Sequence, residues 1–447
     1  MKARLRQFWS ALGDAFWVVP ALMVLGGILA SAGAVAIDRT GLIPKWMVNS
    51  AWLYNGGGTG ARTLLGAVAS STIGVAGTVF SITIAALTLA SGQMGPRLLR
   101  NFTHDRGNQV TLGAFLGTFA YALMVLRTVR AADEGDFIPH LALSLGIWLA
   151  IGCVGMLVYF VGHMAGRINV ETVVVLVSED MQAALQRLTQ EEPGEAPPPA
   201  AYWTLAQPVR DERQGYLQHL DESGLADWAG DRQVAIRLLV RPGDYVFPGA
   251  PIAQVIPQVD GVEAAIRDAT ALGKQRISSE DLEYAARQLV EVAVRALSPG
   301  INDPHTAMNV LDALGAALCR LAPRHLPTGV SRRDGRVALT IPAVDYDGLL
   351  DTMFHLIRQN AAGSIAVLIR MLEVLTAARS CERNATRDAG LQRHADLIRA
   401  DAERDIANAG DLRDVLGRYA TFCRLRHDGD GADDAAEGAQ GADAGEA

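Results

Sequence analysis

Four long apolar segments in the N-terminal part of the chain constrain its fold more than any other feature. They lie at about 16–37, 63–94, 110–127 and 140–163, and Arg127, at the end of the third, is their only charged residue. A helix of about 20 residues crosses a hydrocarbon core of about 30 Å, since each residue adds about 1.5 Å. The segments therefore predict four transmembrane helices.

The first two segments each raise a question. A cleaved signal peptide is an alternative for the first, because three basic residues precede it and small residues at 30–36 are typical of a cleavage site. Its length and the three later spans favour an uncleaved anchor, since a signal peptide has an apolar core of only about 7–15 residues. The second segment has no charge over 34 residues, so its helix must tilt strongly or project from the bilayer.

Charge is distributed unevenly along the chain. The 447 residues have a net charge of −8. Seven acidic residues and no base lie in 428–447, and this segment is predicted to be disordered. The nearly neutral remainder has no broad basic face, which excludes nucleic acid as a partner. Four scattered cysteines without CxxC spacing argue against a disulfide scaffold and a structural zinc site.

Basic residues indicate how the chain crosses the membrane. Lys and Arg are concentrated before the first span and in 91–109, whereas the other loops mix bases with acids. The positive-inside rule then predicts a multi-pass protein of the inner (plasma) membrane with both termini in the cytoplasm. Everything after about Arg167 is cytosolic in this topology, which agrees with unpaired cysteines.

Small residues recur in the spans at four-residue intervals. Such spacings let helix backbones approach closely in lipid, where the hydrophobic effect does not drive association. They predict a tightly packed bundle and are found at Gly26, Ala30 and Ala34, at Gly113 and Gly117, and at Gly162 and Gly166.

A stripe of hydroxyl and small residues runs along the second span, at Ser71, Thr78, Ser81 and Thr88. One interpretation is a helix–helix contact in which the hydroxyls bond back to their own backbone. The other is the wall of a permeation pathway, in which hydroxyls partly replace the water around an ion. The absence of ionisable residues inside the spans argues against a proton-coupled transporter.

The joint between the second and third spans combines helix breakers with charge. Gly95 and Pro96 redirect the helix, after which Arg97 and Arg100 share one face and Asp105 can counter one of them. The arginines either anchor the chain to lipid phosphate or form a cytosolic pore mouth or anion contact.

Two motifs in this chain resemble those of bacterial predicted membrane proteins catalogued only as a domain of unknown function. The first is SGQMGPRLLRNFTHD (91–105), and the second is ALSPGINDPHTA (296–307). The resemblance covers most of 1–425 and implies four N-terminal spans and a cytosolic C-terminal region, without an activity. His305 stands where an aromatic is expected in relatives. Further matching positions are Gln109, Leu112, Gly113, Phe115, Thr118, Phe119, Tyr121, Arg276, Asp281 and Gln288.

The cytosolic half divides by composition into four parts. We expect a helix and Pro-rich connector over 171–200, a small β-module over 201–260, a mainly helical domain over 261–427 and the acidic tail. The β-module resembles those of biotinyl or lipoyl carriers but lacks their modified lysine, so a structural or interaction role fits better. An amphipathic pattern over 349–375 predicts one long helix, with two more near 386–409 and 411–426.

The string SPGINDP (298–304) separates two predicted helices. Asp303 is placed to cap the second helix, with Pro304 as its first residue. The alternative is a site built from Ser298, Asn302, Asp303 and His305, although catalytic triads are assembled from separated segments. Signatures of common enzyme classes are absent, and the nine histidines show no metal-ligand spacing.

These patterns predict four transmembrane helices followed by an α+β cytosolic region with a small β-module and a helical bundle. The leading hypothesis is a homo-oligomeric channel or passive pathway for a small ion or solute, with a cytosolic gating or scaffolding domain. The alternatives are a membrane-anchored enzyme or sensor acting near 298–305, and a purely structural membrane protein. No catalytic residue, metal site or cofactor is predicted, and the lipid bilayer is an expected partner.

Overall fold

The computed structural model describes residues 16–40, 53–94, 105–130, 137–167, 170–274, 276 and 281–441. The chain forms two compact units, which are separated near residue 169. The N-terminal unit contains the apolar helices, and the C-terminal unit contains the two sheets and the remaining helices.

Four apolar helices form the N-terminal unit, as the sequence predicts. They are α1 (Val18–Thr40), α2 (Gly58–Met94), α3 (Arg106–Leu126) and α4 (His140–Arg167). Each is long and apolar enough to cross a membrane. The 37 residues of α2 correspond to about 55 Å of helix, which exceeds the hydrocarbon thickness of about 30 Å.

Close backbone contact joins α1 to α3, which packs against all three other apolar helices, as α4 also does. A Cβ atom added at Gly27 would lie 2.3 Å from the carbonyl oxygen of Gly117, and one added at Gly117 would lie 2.8 Å from that of Met23. Only glycine permits this approach. Gly26, by contrast, has no neighbour within 4 Å, so the contact lies one residue beyond the predicted position.

The predicted small-residue pair of α4 also lies outside any helix contact in the described part of the chain. Gly162 and Gly166 have no neighbour within 4 Å among the described residues. In α1, Ala30 is exposed whereas Ser31 and Ala34 are buried. Four-residue spacing therefore placed the packing face correctly in α3, where Gly113 and Gly117 contact α1, but not in α1 at Gly26 or in α4.

The C-terminal unit mixes helices with two sheets. The larger sheet has the strand order β1-β5-β3-β8-β7, in which only β3 and β8 are parallel, and the smaller has the order β4-β2-β6. The strands are β1 (Gln207–Arg210), β2 (Gly215–Leu220), β3 (Ala235–Leu238), β4 (Tyr245–Val246), β5 (Pro251–Ile256), β6 (Thr270–Gly273), β7 (Val330–Arg333) and β8 (Arg336–Thr340).

The helices of this unit follow the predicted positions in most cases. A core cluster that includes Leu225, Ile236 and Leu339 lies between the larger sheet and its covering helices. In chain order the helices are α5 (Val170–Leu188), α6 (Glu222–Asp231), α7 (Val262–Ala269), α8 (Leu282–Ala296), α9 (Pro304–Leu321), α10 (Tyr346–Asn360), α11 (Ile365–Cys381), α12 (Ala385–Asp405) and α13 (Ala409–Gly441).

Three features differ from the predictions. The sheets extend beyond 201–260, because β6, β7 and β8 come from the region predicted to be mainly helical and β8 pairs with β3. The predicted helix over 349–375 is two helices, since 361–364 contains Gly363 and α11 begins after Ser364. Finally, α13 extends into the tail predicted to be disordered, where alanine favours helix.

Candidate functional site

One side of α2 faces outward between Thr63 and Thr88 and carries small and hydroxyl residues. We call this set the hydroxyl face; its members, all exposed, are Thr63, Ser70, Ser71, Gly74, Gly77, Thr78, Ser81 and Thr88. The opposite side of α2 packs in the bundle through Leu65, Ala76 and Val79. The predicted stripe is therefore turned away from the other apolar helices that the structure describes in the N-terminal unit.

Each predicted hydroxyl bonds back to its own helix. The Ser71 Oγ donates to the carbonyl of Val68 at 3.1 Å, and the Ser81 Oγ to that of Gly77 at 2.9 Å. Thr78 and Thr88 do the same one turn back, at 3.2 and 2.9 Å. Because each hydroxyl donates its only proton to a backbone carbonyl, its oxygen lone pairs remain available to accept hydrogen bonds.

Large apolar side chains border the hydroxyl face. Ile73 and Phe80 are 41% and 48% exposed on one flank, and Ile82 and Leu89 are 44% and 49% exposed on the other. The glycines between them are open, since a Cβ at Gly74 or Gly77 would meet nothing within 4 Å. The result is a shallow polar groove between two apolar ridges.

The structure describes only the two ends of the joint between the second and third spans. Arg97 and Arg100 lie outside the described residues, whereas Asp105 is buried and caps α3 by accepting the amide N–H of Gly107 at 2.9 Å. The other carboxylate oxygen lies 2.6 Å from His163 Nε2 on α4. A Cβ added at Gly107 would lie 2.8 Å from His163 Nε2 and 2.9 Å from the Tyr159 hydroxyl, so both side chains would have to shift.

Next to this pair, sequence analysis missed a buried amide. Asn108 is 2% exposed, and neither its side-chain nitrogen nor its oxygen has a hydrogen-bond partner among the described residues. An unpaired buried amide costs free energy unless water or a solute satisfies it. Asn108 therefore marks a polar position inside the bundle, at the same end as Asp105 and His163.

The SPGINDP motif is a connection between α8 and α9. Asp303 is the N-cap of α9, where its carboxylate accepts from the Thr306 N–H at 3.2 Å and the Thr306 hydroxyl at 2.6 Å. These bonds, led by that of the hydroxyl, lower the pKa of Asp303. Ser298 donates to the Arg295 carbonyl, and His305 is exposed. Asp303 therefore caps α9, as its place before Pro304 predicts.

Asn302, the remaining motif residue, has a positive φ of 49°. This left-handed conformation reverses the chain between the helices, and asparagine tolerates it better than most side chains. The Asp303 N–H then donates to the Ala296 carbonyl at 2.8 Å, which satisfies a terminal carbonyl of α8. The motif residues thus have local structural roles.

Two of the three upstream residues of the family resemblance, Arg276 and Asp281, form an ion pair. Asp281 caps α8 and accepts from Arg276 Nε at 2.6 Å, with 1% of its side chain exposed. Nearby, Arg241 Nη2 donates to Glu283 at 2.5 Å. Arg241 also lines a cavity of about 640 Å³ with Gln190, Leu282, Thr328 and Val330, a volume that would accommodate a small molecule.

A second missed cluster lies where α10 packs against α12. Asp351 and His355 share one face of α10, and the fully buried His394 approaches them from α12. The sequence analysis found no metal-ligand spacing among the histidines, because His394 joins the others only in the folded chain. The i,i+4 spacing of Asp351 and His355 was the one local signal.

These features define a multi-span α-helical membrane protein with a large α+β C-terminal unit. Residues 13–377 match the family described as predicted membrane protein DUF2254, and the chain belongs to this family. This confirms the resemblance. Uncharacterized proteins of Mycobacterium tuberculosis and Mycobacterium bovis are 32% identical over 439 residues, covering 94% of this chain and 82% of each relative. No solved structure matches.

Proposed function

We propose that this protein assembles into an oligomeric permeation pathway for a small ion or solute, with the hydroxyl faces of several subunits surrounding the pathway. Four spans alone rarely enclose a pore, so the pathway requires several chains. The C-terminal unit would gate or scaffold the assembly. The supporting observation is that the outward side of α2 is polar and small along its length.

Lipid and protein neighbours make different demands on such a face. Against lipid tails, glycine and serine contribute little packing area, whereas against another helix they allow close backbone approach. The open glycines Gly74 and Gly77 are therefore suited to a neighbouring subunit. The apolar ridges beside them would bury further area in the same contact.

The chemistry of the face suits a cation or a hydrogen-bond donor. The hydroxyl protons of Ser71, Thr78 and Ser81 are used by the backbone, so the oxygens present lone pairs outward. A ring of such oxygens can partly replace the hydration of a small cation. The described spans carry no charged side chain at mid-helix, so neutral oxygens would line the pathway.

The test is flux into liposomes reconstituted with the full chain, with Ser81→Cys and Val158→Cys compared in a background lacking Cys319, Cys381 and Cys423. Ser81 lies on the hydroxyl face, and Val158 is an exposed apolar residue of α4. A water-soluble cationic thiol reagent should inhibit K⁺ flux in the Ser81→Cys protein only. Flux no greater than in empty liposomes, or equal inhibition of both variants, would refute the proposal.

The proposed location is the inner membrane with both termini in the cytoplasm, on the basis of the basic residues near the first span and in 91–109. Cys381 is exposed and suits a topology test. An impermeant thiol reagent should label it in permeabilised cells but not in intact ones. Strong labelling of intact cells would reverse the orientation.

A further inference from the structure

Three nitrogen atoms converge on one carboxylate oxygen in the C-terminal unit. His355 Nε2 lies 3.0 Å and His394 Nε2 lies 3.1 Å from Asp351 Oδ1. Arg393 Nη2 donates to the same oxygen at 2.6 Å. A carboxylate oxygen has two lone pairs, so three N–H donors would exceed what one oxygen can accept well. At least one imidazole is therefore better explained as directing the lone pair of its Nε2 atom, and not an N–H group, toward Asp351 Oδ1.

We propose that Asp351, His355 and His394 bind a divalent transition-metal ion such as Zn²⁺. The three candidate ligand atoms all lie within 4.8 Å of one another. Bonds of about 2.0–2.1 Å in tetrahedral geometry place ligand atoms about 3.3 Å apart, close to the two measured separations. Two imidazoles and one carboxylate favour Zn²⁺ and its neighbours over Mg²⁺ or Ca²⁺, which prefer oxygen.

The helices hold these ligands before any metal binds. Asp351 and His355 are one turn apart on α10, and the His394 ring on α12 lies 5.0 Å from the His355 ring. His394 is fully buried beside Phe354, whereas the side chains of Asp351 and His355 are 40% and 31% exposed. The site is thus fixed on its inner side and open to solvent on the other, where a fourth ligand can bind.

Arg393 competes with the ion for Asp351. Its guanidinium neutralises the carboxylate, and since its side chain is 40% exposed it can turn into solvent when a cation binds. Both imidazole Nδ1 atoms are buried without a hydrogen-bond partner among the described residues. Such outer partners strengthen metal binding, so we expect this site to bind an ion about 10- to 100-fold more weakly than one whose imidazoles have them.

The experiment uses the full chain in detergent, purified without a polyhistidine tag and stripped of metal. Titration with Zn²⁺, and with Co²⁺ followed by its visible absorption, should give one ion per chain. His355→Ala and Asp351→Asn should weaken binding by about tenfold or more, whereas His305→Ala, at an exposed histidine, should not.

Arg393→Gln separates metal binding from a purely structural role. Removal of the competing cation should tighten Zn²⁺ binding, and Zn²⁺ should then raise the melting temperature more than in the wild type. A cluster held only by hydrogen bonds would lose stability in this variant and gain none with Zn²⁺. The absence of stoichiometric binding in both wild type and Arg393→Gln, or equal binding in His355→Ala, would overturn the proposal.

Discussion

The outward sides of α2 and α4 carry different side chains although both helices are apolar enough to cross a membrane. α4 exposes Ile151, Val154 and Val158, whereas α2 exposes hydroxyls and glycines between two apolar ridges. Hydropathy identifies both helices as spans. It does not distinguish a face suited to lipid from one suited to another helix, which depends on side-chain size and position.

The largest effect is expected from adding a bulky side chain to each of these faces. Gly74 on α2 and Gly152 on α4 are both exposed, and neither has a neighbour within 4 Å. Gly74→Leu should abolish oligomers, because the added side chain blocks backbone approach, while Gly152→Leu should leave them intact. Cross-linking in native membranes measures the difference.

The two leucine variants together show which helix forms the subunit contact. If Gly152→Leu disrupts assembly and Gly74→Leu does not, the subunit contact lies on α4. Correct insertion of both variants is checked by protease protection, so that loss of assembly is not confused with loss of the protein.

A smaller effect is expected inside the bundle. Gly27→Ala places a methyl group against the Gly117 carbonyl and should cost about 1–3 kcal/mol, as overpacking of a close contact does. Gly26→Ala is its matched control, since that position is open, and it should be neutral or slightly stabilising. Thermal unfolding in detergent tests both, and equal melting temperatures would contradict the α1–α3 contact.

A third prediction concerns a helix end in the C-terminal unit instead of a contact between membrane helices. Asp303→Ala should cost about 1 kcal/mol at pH 7, and Asp303→Asn should recover most of it, because the amide oxygen also caps. The folded pKa of Asp303 is lowered, so its charge-dependent contribution is present at pH 7. That contribution is lost as the pH falls below about 4.

Thermal scans at pH 7 and at acidic pH check this prediction. If Asp303→Asn lost as much stability as Asp303→Ala, the carboxylate would have a role beyond the cap. If a function of the full chain were lost while stability remained, the enzyme or sensor alternative would gain support.

The smallest change in stability is expected on the hydroxyl face itself. Thr78→Val should alter the unfolding free energy by less than about 0.5 kcal/mol, because the exposed hydroxyl bonds only to its own helix. Flux should nevertheless fall if Thr78 lines the pathway. Val79→Ala, at a buried position of the same turn, should show the reverse pattern, and equal behaviour of the two variants would remove the distinction between the two sides of α2.

Local features of this fold were predictable from sequence, whereas long-range ones were not. The spans follow from composition, and the Asp303 cap follows from adjacent residues. The pairing of β8 with β3 and the approach of His394 to Asp351 join distant segments, which no local pattern specifies. In α1, spacing could not decide between neighbouring Gly26 and Gly27, because both lie on four-residue repeats with other small residues.

The contact between Gly27 and Gly117 also bears on how the protein is made. α1 leaves the ribosome before α2 and α3, but its glycine contact is with α3, which follows a helix of 37 residues. The order of synthesis therefore differs from the order of packing, and α1 must remain in the bilayer unassembled until α3 is inserted. A chain arrested before Arg106 would present an unpaired first helix to membrane quality control, whereas the arrival of α3 would remove that signal for degradation.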